Sequence, residues 1–210
     1  MSDIEGVLTG IPQIPRKTIT AELLSITKVA ANAQQKSSEL DLTNIRDLLL
    51  IIHHGRTAVT AFVGAGTEYI VQVSAKASGD DTWTDIASIV AEIALATAIT
   101  ADGAEAAGQT VIEIGANTPA VGDIVFWENA TLANSEWGKV VAISAGVTFT
   151  LLDGLTNAQA AAQLIYNKGK VYALNLSTRS AKRLRVIVNN ANGSTNVQIA
   201  CRISALTEVL

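Results

Sequence analysis

His53 and His54 are the only histidines in this chain of 210 residues, and they are adjacent. A nucleophilic triad needs Ser or Cys, His, and Asp or Glu close together in space. Neighbouring residues on a strand point to opposite faces, so at most one of the pair can serve any given site. Histidine is the commonest metal ligand, but two histidines make only half a site. One buried and one exposed histidine near a strand end is the favoured reading. The single cysteine, Cys201, rules out a disulfide within the chain and a Cys-rich metal centre. It reads as a small buried hydrophobe. Asp80, Asp81 and Asp85 crowd one turn, where calcium uses such oxygens. The glycine and terminal Glu of an EF-hand are missing, and a solvated acidic turn is favoured. The sequence holds no G-x-S-x-G elbow, no Walker A loop and no H-E-x-x-H. "GAGTE" (residues 64–68) lacks the third glycine and the following helix of a dinucleotide site, and reads as a hairpin loop. These residues lead us to expect no catalytic residues, no metal and no cofactor.

The remaining candidates are aromatic. "VGDIVFWENATLANSEWGKVVAI" (residues 121–143) holds Trp127 and Trp137, two of the three tryptophans. Two exposed indoles would make a sugar-binding platform. Two packed ones would brace a hairpin, since tryptophan buries a large area and keeps one polar handle. Packing is the favoured reading, and both residues are kept as candidate interaction residues.

Such side chains need elements to hold them. The hydrophobic fraction is 49% and the charged fraction 16%, which argues against disorder. Aromatics are only 4%, so the core must be built from small and branched residues. Net charge is −4. The densest basic spots, Arg16-Lys17 and Lys182-Arg183-Leu184-Arg185, fall short of the basic footprint that nucleic-acid binding leaves. The acidic start, Met1 to Glu5, is not followed by the apolar run of a secretory signal. No uncharged apolar run has membrane-spanning length. Neither a nucleic-acid nor a membrane partner is expected.

Residues 1–40 differ from the rest. "GVLTGIPQIPRKTIT" carries Pro12 and Pro15, which fix φ and disfavour helix before them, so the stretch is extended. "AELLSITKVAANAQQKSSELDL" fits neither the helical nor the strand period cleanly, and both stay open. An extended apolar arm packs on a neighbour or is a frayed terminus. Pro12, Pro15 and Arg16 are its candidate contact residues.

From Leu42 the strand signal is strong. "RDLLLIIHHGRTAVTAFVG" has an apolar burst, Leu48 to Ile52, punctuated by Gly55. In "TEYIVQVSAKASGDDTWTDIA", Tyr69, Val71, Val73 and Ala75 share one face, and a turn leads to a second strand with Trp83 packed across the hairpin. "AEIALATAIT" reads as a strand leading into a loop. "QTVIEIGA" is a strand, and "TPAVGDIVFW" is a turn followed by a strand. "GKVVAISAGVTFTLLDGL" is two strands about Ala145-Gly146. "AQLIYNKGKVYALNL" is two strands about an Asn167-Lys168-Gly169 turn. In "RLRVIVNN", Leu184, Val186 and Val188 oppose Arg183 and Arg185. In "NVQIACRIS", Val197, Ile199, Cys201 and Ile203 face inward and Gln198 and Arg202 outward, so the two read as a half-buried hairpin. The predicted fold is all-β. An antiparallel sandwich spans 41–104 and 169–210, a small barrel is inserted at 105–168, and an extended arm covers 1–40.

Three segments carry a resemblance. "YIVQVSAKASGDDTWTDIAS" (residues 69–88) resembles the strand-turn-Trp-strand of β-sandwich structural proteins of tailed-bacteriophage particles. "KRLRVIVNNANGSTNVQIACRIS" (residues 182–204) resembles the closing hairpin of such domains. "VGDIVFWENATLANSEWGKVVAISAGVTFTLLDGLTNAQAAAQLIY" (residues 121–166) is similar to small barrels of phage virion and baseplate proteins. It shares their "vGD-I" strand, "sE-G-V" excursion and "G-tFTL" hairpin. In that pattern Gly122-Asp123 turns the chain into a barrel strand, and Trp127 and Trp137 are wall and rim residues. The resemblance covers about 140 residues and excludes the first forty. It implies a non-enzymatic virion protein, most concretely a capsid decoration or cement protein, trimeric, bound to the major capsid protein or other virion proteins. A tail, neck or baseplate component and a carbohydrate-binding host-attachment module are the alternatives.

Overall fold

The computed structural model describes residues 17–57, 64–79, 82–91, 98–144, 146–177, 180–192 and 199–209. Among them are fourteen strands: β1 (Lys17–Val29), β2 (Ala33–Lys36), β3 (Leu40–Asp41), β4 (Ile45–Arg56), β5 (Gly64–Ser74), β6 (Thr84–Val90), β7 (Ala98–Ala101), β8 (Val111–Ala116), β9 (Ile124–Trp127), β10 (Glu136–Ser144), β11 (Thr148–Leu151), β12 (Leu164–Ser177), β13 (Arg183–Asn192) and β14 (Ile199–Val209). The described residues contain no α-helix. The fold is all-β and its sheets are antiparallel. The segment left open between helix and strand is β1, which pairs with β14 from Lys17↔Val209 to Val29↔Ile199. Residues 17–36 therefore belong to the sheets, β1 in one and β2 in the other. Residues 1–16, with Pro12, Pro15 and Arg16, lie outside the described residues.

Two sheets face each other. One begins β1-β14-β4-β12, and the other runs β2-β13-β5-β6 with β3 also on β13. The alternation that makes these strands also fills the space between them. Leu48, Leu50 and Ile52 of β4 and Cys201, Ile203 and Ala205 of β14 share a core with Tyr69 and Val71 of β5 and Leu184, Val186 and Val188 of β13. Each of these side chains is at most 2% exposed. On the far side of the smaller sheet, Arg183 and Arg185 lie over the Trp83 ring, 4.9 and 4.0 Å from its centroid. This is the strand-turn-Trp-strand hairpin β5–β6 with a cationic cover.

The larger sheet continues from β12 into β7, β8, β11, β10 and β9, and β9 pairs again with β12. These six strands form a closed ring with its own core, including Ile99, Ile112, Val125, Trp127, Val140, Phe149 and Ile165. The ring draws on β7 and on the first part of β12. Phe126, Tyr166 and Ala200 form a third buried cluster with Trp137 against it. β9 is buried on both sides for this reason: Val125 and Trp127 enter the ring core, while Phe126 enters the third cluster.

Four sequence readings are corrected. β13 and β14 do not form a hairpin; β13 lies in one sheet and β14 in the other, so the chain crosses the sandwich between them. Gly55 does not punctuate β4 but lies within it, because a Cβ there would stand 2.6 Å from Phe126 Cγ. "GAGTE" is the start of β5, not a loop. Asn167-Lys168-Gly169 is not a turn either. β12 runs through it, with a register shift against β9 between Tyr166 and Gly169 and with Lys168 at φ 68°. That bulge lies where β12 stops pairing with β9 and continues along β4.

Candidate interaction surface

The outer face of the larger sheet has no covering layer among the described residues. Strand register sets its rows. Thr20, Leu206, Leu49 and Asn175 lie side by side across β1, β14, β4 and β12; Glu22, Ser204, Ile51 and Ala173 form the next row; Arg202, His53 and Val171 follow. Leu49, Ile51 and Leu206 are half-buried, and Val171 is 44% exposed. One end of this face holds a trough of about 530 Å³ lined by Asp47, Leu49, Asn175, Ser177 and Leu206, with Leu48, Leu176 and Thr207 in its floor. The sequence signal was the burst "LLLII" itself. A strand apolar on both faces expects cover on both faces, and here one cover is the core and the other is missing among the described residues.

The other end of the face meets the ring in a polar groove of about 390 Å³. Its polar groups are mostly committed. Arg202 Nε stands 3.3 Å from Glu22 Oε1. The Glu136 carboxylate accepts bonds from Thr156 N (2.7 Å), Asn157 N (3.3 Å) and Gln159 Nε2 (2.7 Å), so it ties the loop between β11 and β12 to the start of β10. His53 lies against Trp137, with ring centroids 5.3 Å apart. Burial, then the Arg202 charge, holds the His53 imidazole below its usual range. Among the described residues, His53 Nδ1 has no hydrogen-bond partner.

Trp127 is 1% exposed, and its Nε1 donates to Gln163 Oε1 at 3.1 Å. A buried indole offers no stacking face, which agrees with the packing reading for Trp127. Trp137 is half-buried between Phe126 (4.7 Å between centroids) and His53, and its Nε1 donates to the His54 carbonyl at 3.0 Å. Both indoles pack. Gly122, at φ 92°, and Asp123, whose Oδ2 accepts from Ala120 N at 2.9 Å, turn the chain into β9.

His54 is buried in the sandwich, with Nδ1 2.7 Å from the Tyr69 hydroxyl. Burial, then the Arg56 charge, pushes its pKa down to about 3, so the ring is neutral. Cys201 is fully buried, and burial pushes its thiol up to about 12. The two histidines point to opposite sides of β4. Among the described residues no three of His, Cys, Asp and Glu are grouped so as to hold a metal ion. Asp85 bonds Gln72 Nε2 at 2.7 Å, and Asp80 and Asp81 lie outside the described residues.

No protein-family model and no curated protein matches the sequence. Among solved structures the chain is similar to VP17, a capsid protein of bacteriophage P23-77, at 10% identity. That match covers 93% of this chain and 97% of the other, with a TM-score of 0.23, which does not establish a shared fold.

Proposed function

We propose that this chain is a non-enzymatic structural protein of a bacteriophage particle. In its most concrete form it is a decoration or cement protein that acts by burying area across joints between virion proteins. The observation that carries the reading is the outer face of the larger sheet: broad, apolar at its centre, polar at its rim, and without a convergent set of reactive groups. That is the anatomy of a protein-docking surface. The resemblance of residues 69–88, 121–166 and 182–204 to phage sandwich and barrel segments supports the virion as the setting. In this reading the two facing sheets are the scaffold and the ring is an inserted unit, with the major capsid protein or other virion proteins as partners. Trp127 is buried and Trp137 is half-buried against Phe126 and His53, which disfavours the carbohydrate-binding alternative.

Assembly is the first test. Light scattering after size exclusion on the purified full-length chain should give a trimer. A hexamer or larger ring would move the assignment to the tail or neck. A strict monomer across the accessible concentration range would sink the assembly reading.

A further inference from the structure

The trough lies at the end of the sheet where the described chain begins. β1 enters at Lys17, opposite Val209, and the row Thr18, Glu208, Asp47, Ser177 comes next, followed by the row of Leu206 and Leu49. The segment that precedes Lys17 is therefore delivered to the trough end of the molecule. From Gly6 to Pro15 it carries no charge, and it holds Val7, Leu8, Ile11 and Ile14. The trough pairs Leu48, Leu49, Leu176 and Leu206 with the polar Asp47, Asn175, Ser177 and Thr207. An uncharged apolar segment can bury its hydrocarbon on those leucines and brings no second charge into the trough.

Direction decides whose trough is filled. β1 runs from Lys17 into the sheet, so the strand direction at Lys17 points the preceding chain away from its own trough. Filling its own trough would require the chain to reverse within a few residues of Lys17, which Pro15 disfavours by restricting its own φ and the residue before it. Sixteen extended residues reach roughly 50 Å, far enough for an adjacent subunit. We propose that the trough receives the segment Gly6–Pro15 of a neighbouring copy of this chain, so that each subunit is clasped by the next. This rests on the assembly reading above and names the contact that makes it.

The test uses the full-length chain carrying Ile11→Cys and Leu206→Cys. Cys201, fully buried, does not compete for oxidant. Mild oxidation should yield chains linked to one another on a denaturing gel and separated again by reductant. The pair Ile11→Cys and Val90→Cys should not link, because Val90 lies on the opposite sheet, 66% exposed. In a separate variant, Leu206→Asp should raise the dissociation constant of the assembly roughly ten-fold or more with an unchanged circular dichroism spectrum. A disulfide within one chain would overturn the neighbouring copy as the source. An assembled protein in which the Ile11→Cys and Leu206→Cys thiols do not link, or one that Leu206→Asp leaves intact, would overturn the docking while leaving the assembly reading in place. A monomeric wild-type chain would remove both.

Discussion

At the residue scale, His54 carries the clearest consequence. Its folded pKa of about 3 lies below the ordinary 6.5, with burial as the main cause and the Arg56 charge second. Between those values the unfolded chain binds a proton that the folded chain refuses. Stability is therefore complete above about pH 6.5 and falls as pH drops, by up to about 1.4 kcal/mol per pH unit. His53, also shifted down, adds in the same direction. Thermal midpoints at pH 7 and pH 5 should differ clearly for the wild type and less for His54→Gln; equal drops for both would refute the assignment. Gly55 gives a steric counterpart. A methyl there meets Phe126 Cγ at 2.6 Å and Cβ at 2.9 Å, so Gly55→Ala should cost about 1–3 kcal/mol in chemical denaturation.

At the element scale, β12 is one strand serving two assemblies, and the bulge at Asn167–Gly169 is what permits it. Gly169 is hemmed in: an added Cβ would lie 3.0 Å from the Ile124 carbonyl and 3.3 Å from that of His54. Lys168 holds φ 68°, a conformation that glycine adopts without penalty. Lys168→Gly should thus be neutral or stabilising by up to about 1 kcal/mol, since the Asp123 ion pair it removes is 3.7 Å long and partly exposed. Deleting Lys168 should instead be severely destabilising. It slips one half of β12 by a residue and exchanges the faces of Ile165 and Tyr166, or of Tyr172 and Leu174, with their neighbours. Denaturation curves of the two variants should separate these effects.

At the scale of the whole molecule, the two-sided apolarity of β4, with Leu48, Leu50 and Ile52 in the core and Leu49 and Ile51 on the outer face, is the organising fact. One side builds the sandwich core, and the other has no covering layer among the described residues. If the proposed partner is held mainly by apolar burial, association should change little between about 0.05 and 0.5 M salt, because screening acts on charges and not on buried hydrocarbon. Sedimentation across that range checks it. A steep loss of assembly with salt would point to the rim groups, Glu22, Asp47 and Arg202, as the real contacts.

The all-β class was legible in the sequence because period-two alternation is local. Leu184, Val186 and Val188 fall on one face whatever they pack against. The inward placement of Cys201 and the Gly122-Asp123 turn were legible for the same reason. Pairing was not. Whether "RVIVNN" continues into "IACRIS" as a hairpin or crosses to the other sheet depends on partners far away in sequence. β5, β2 and β3 claim one segment, and β1 and β4 claim the other. Gly55 and Lys168-Gly169 carry turn chemistry in the sequence, yet both sit within strands. Their small or left-handed backbones answer a close approach by Phe126 and Ile124 that only the tertiary structure brings about. The sequence determined which residues alternate and therefore which faces are apolar. The tertiary structure decided which of those faces became core and which has no cover among the described residues, because burial is a property of what arrives from elsewhere in the chain.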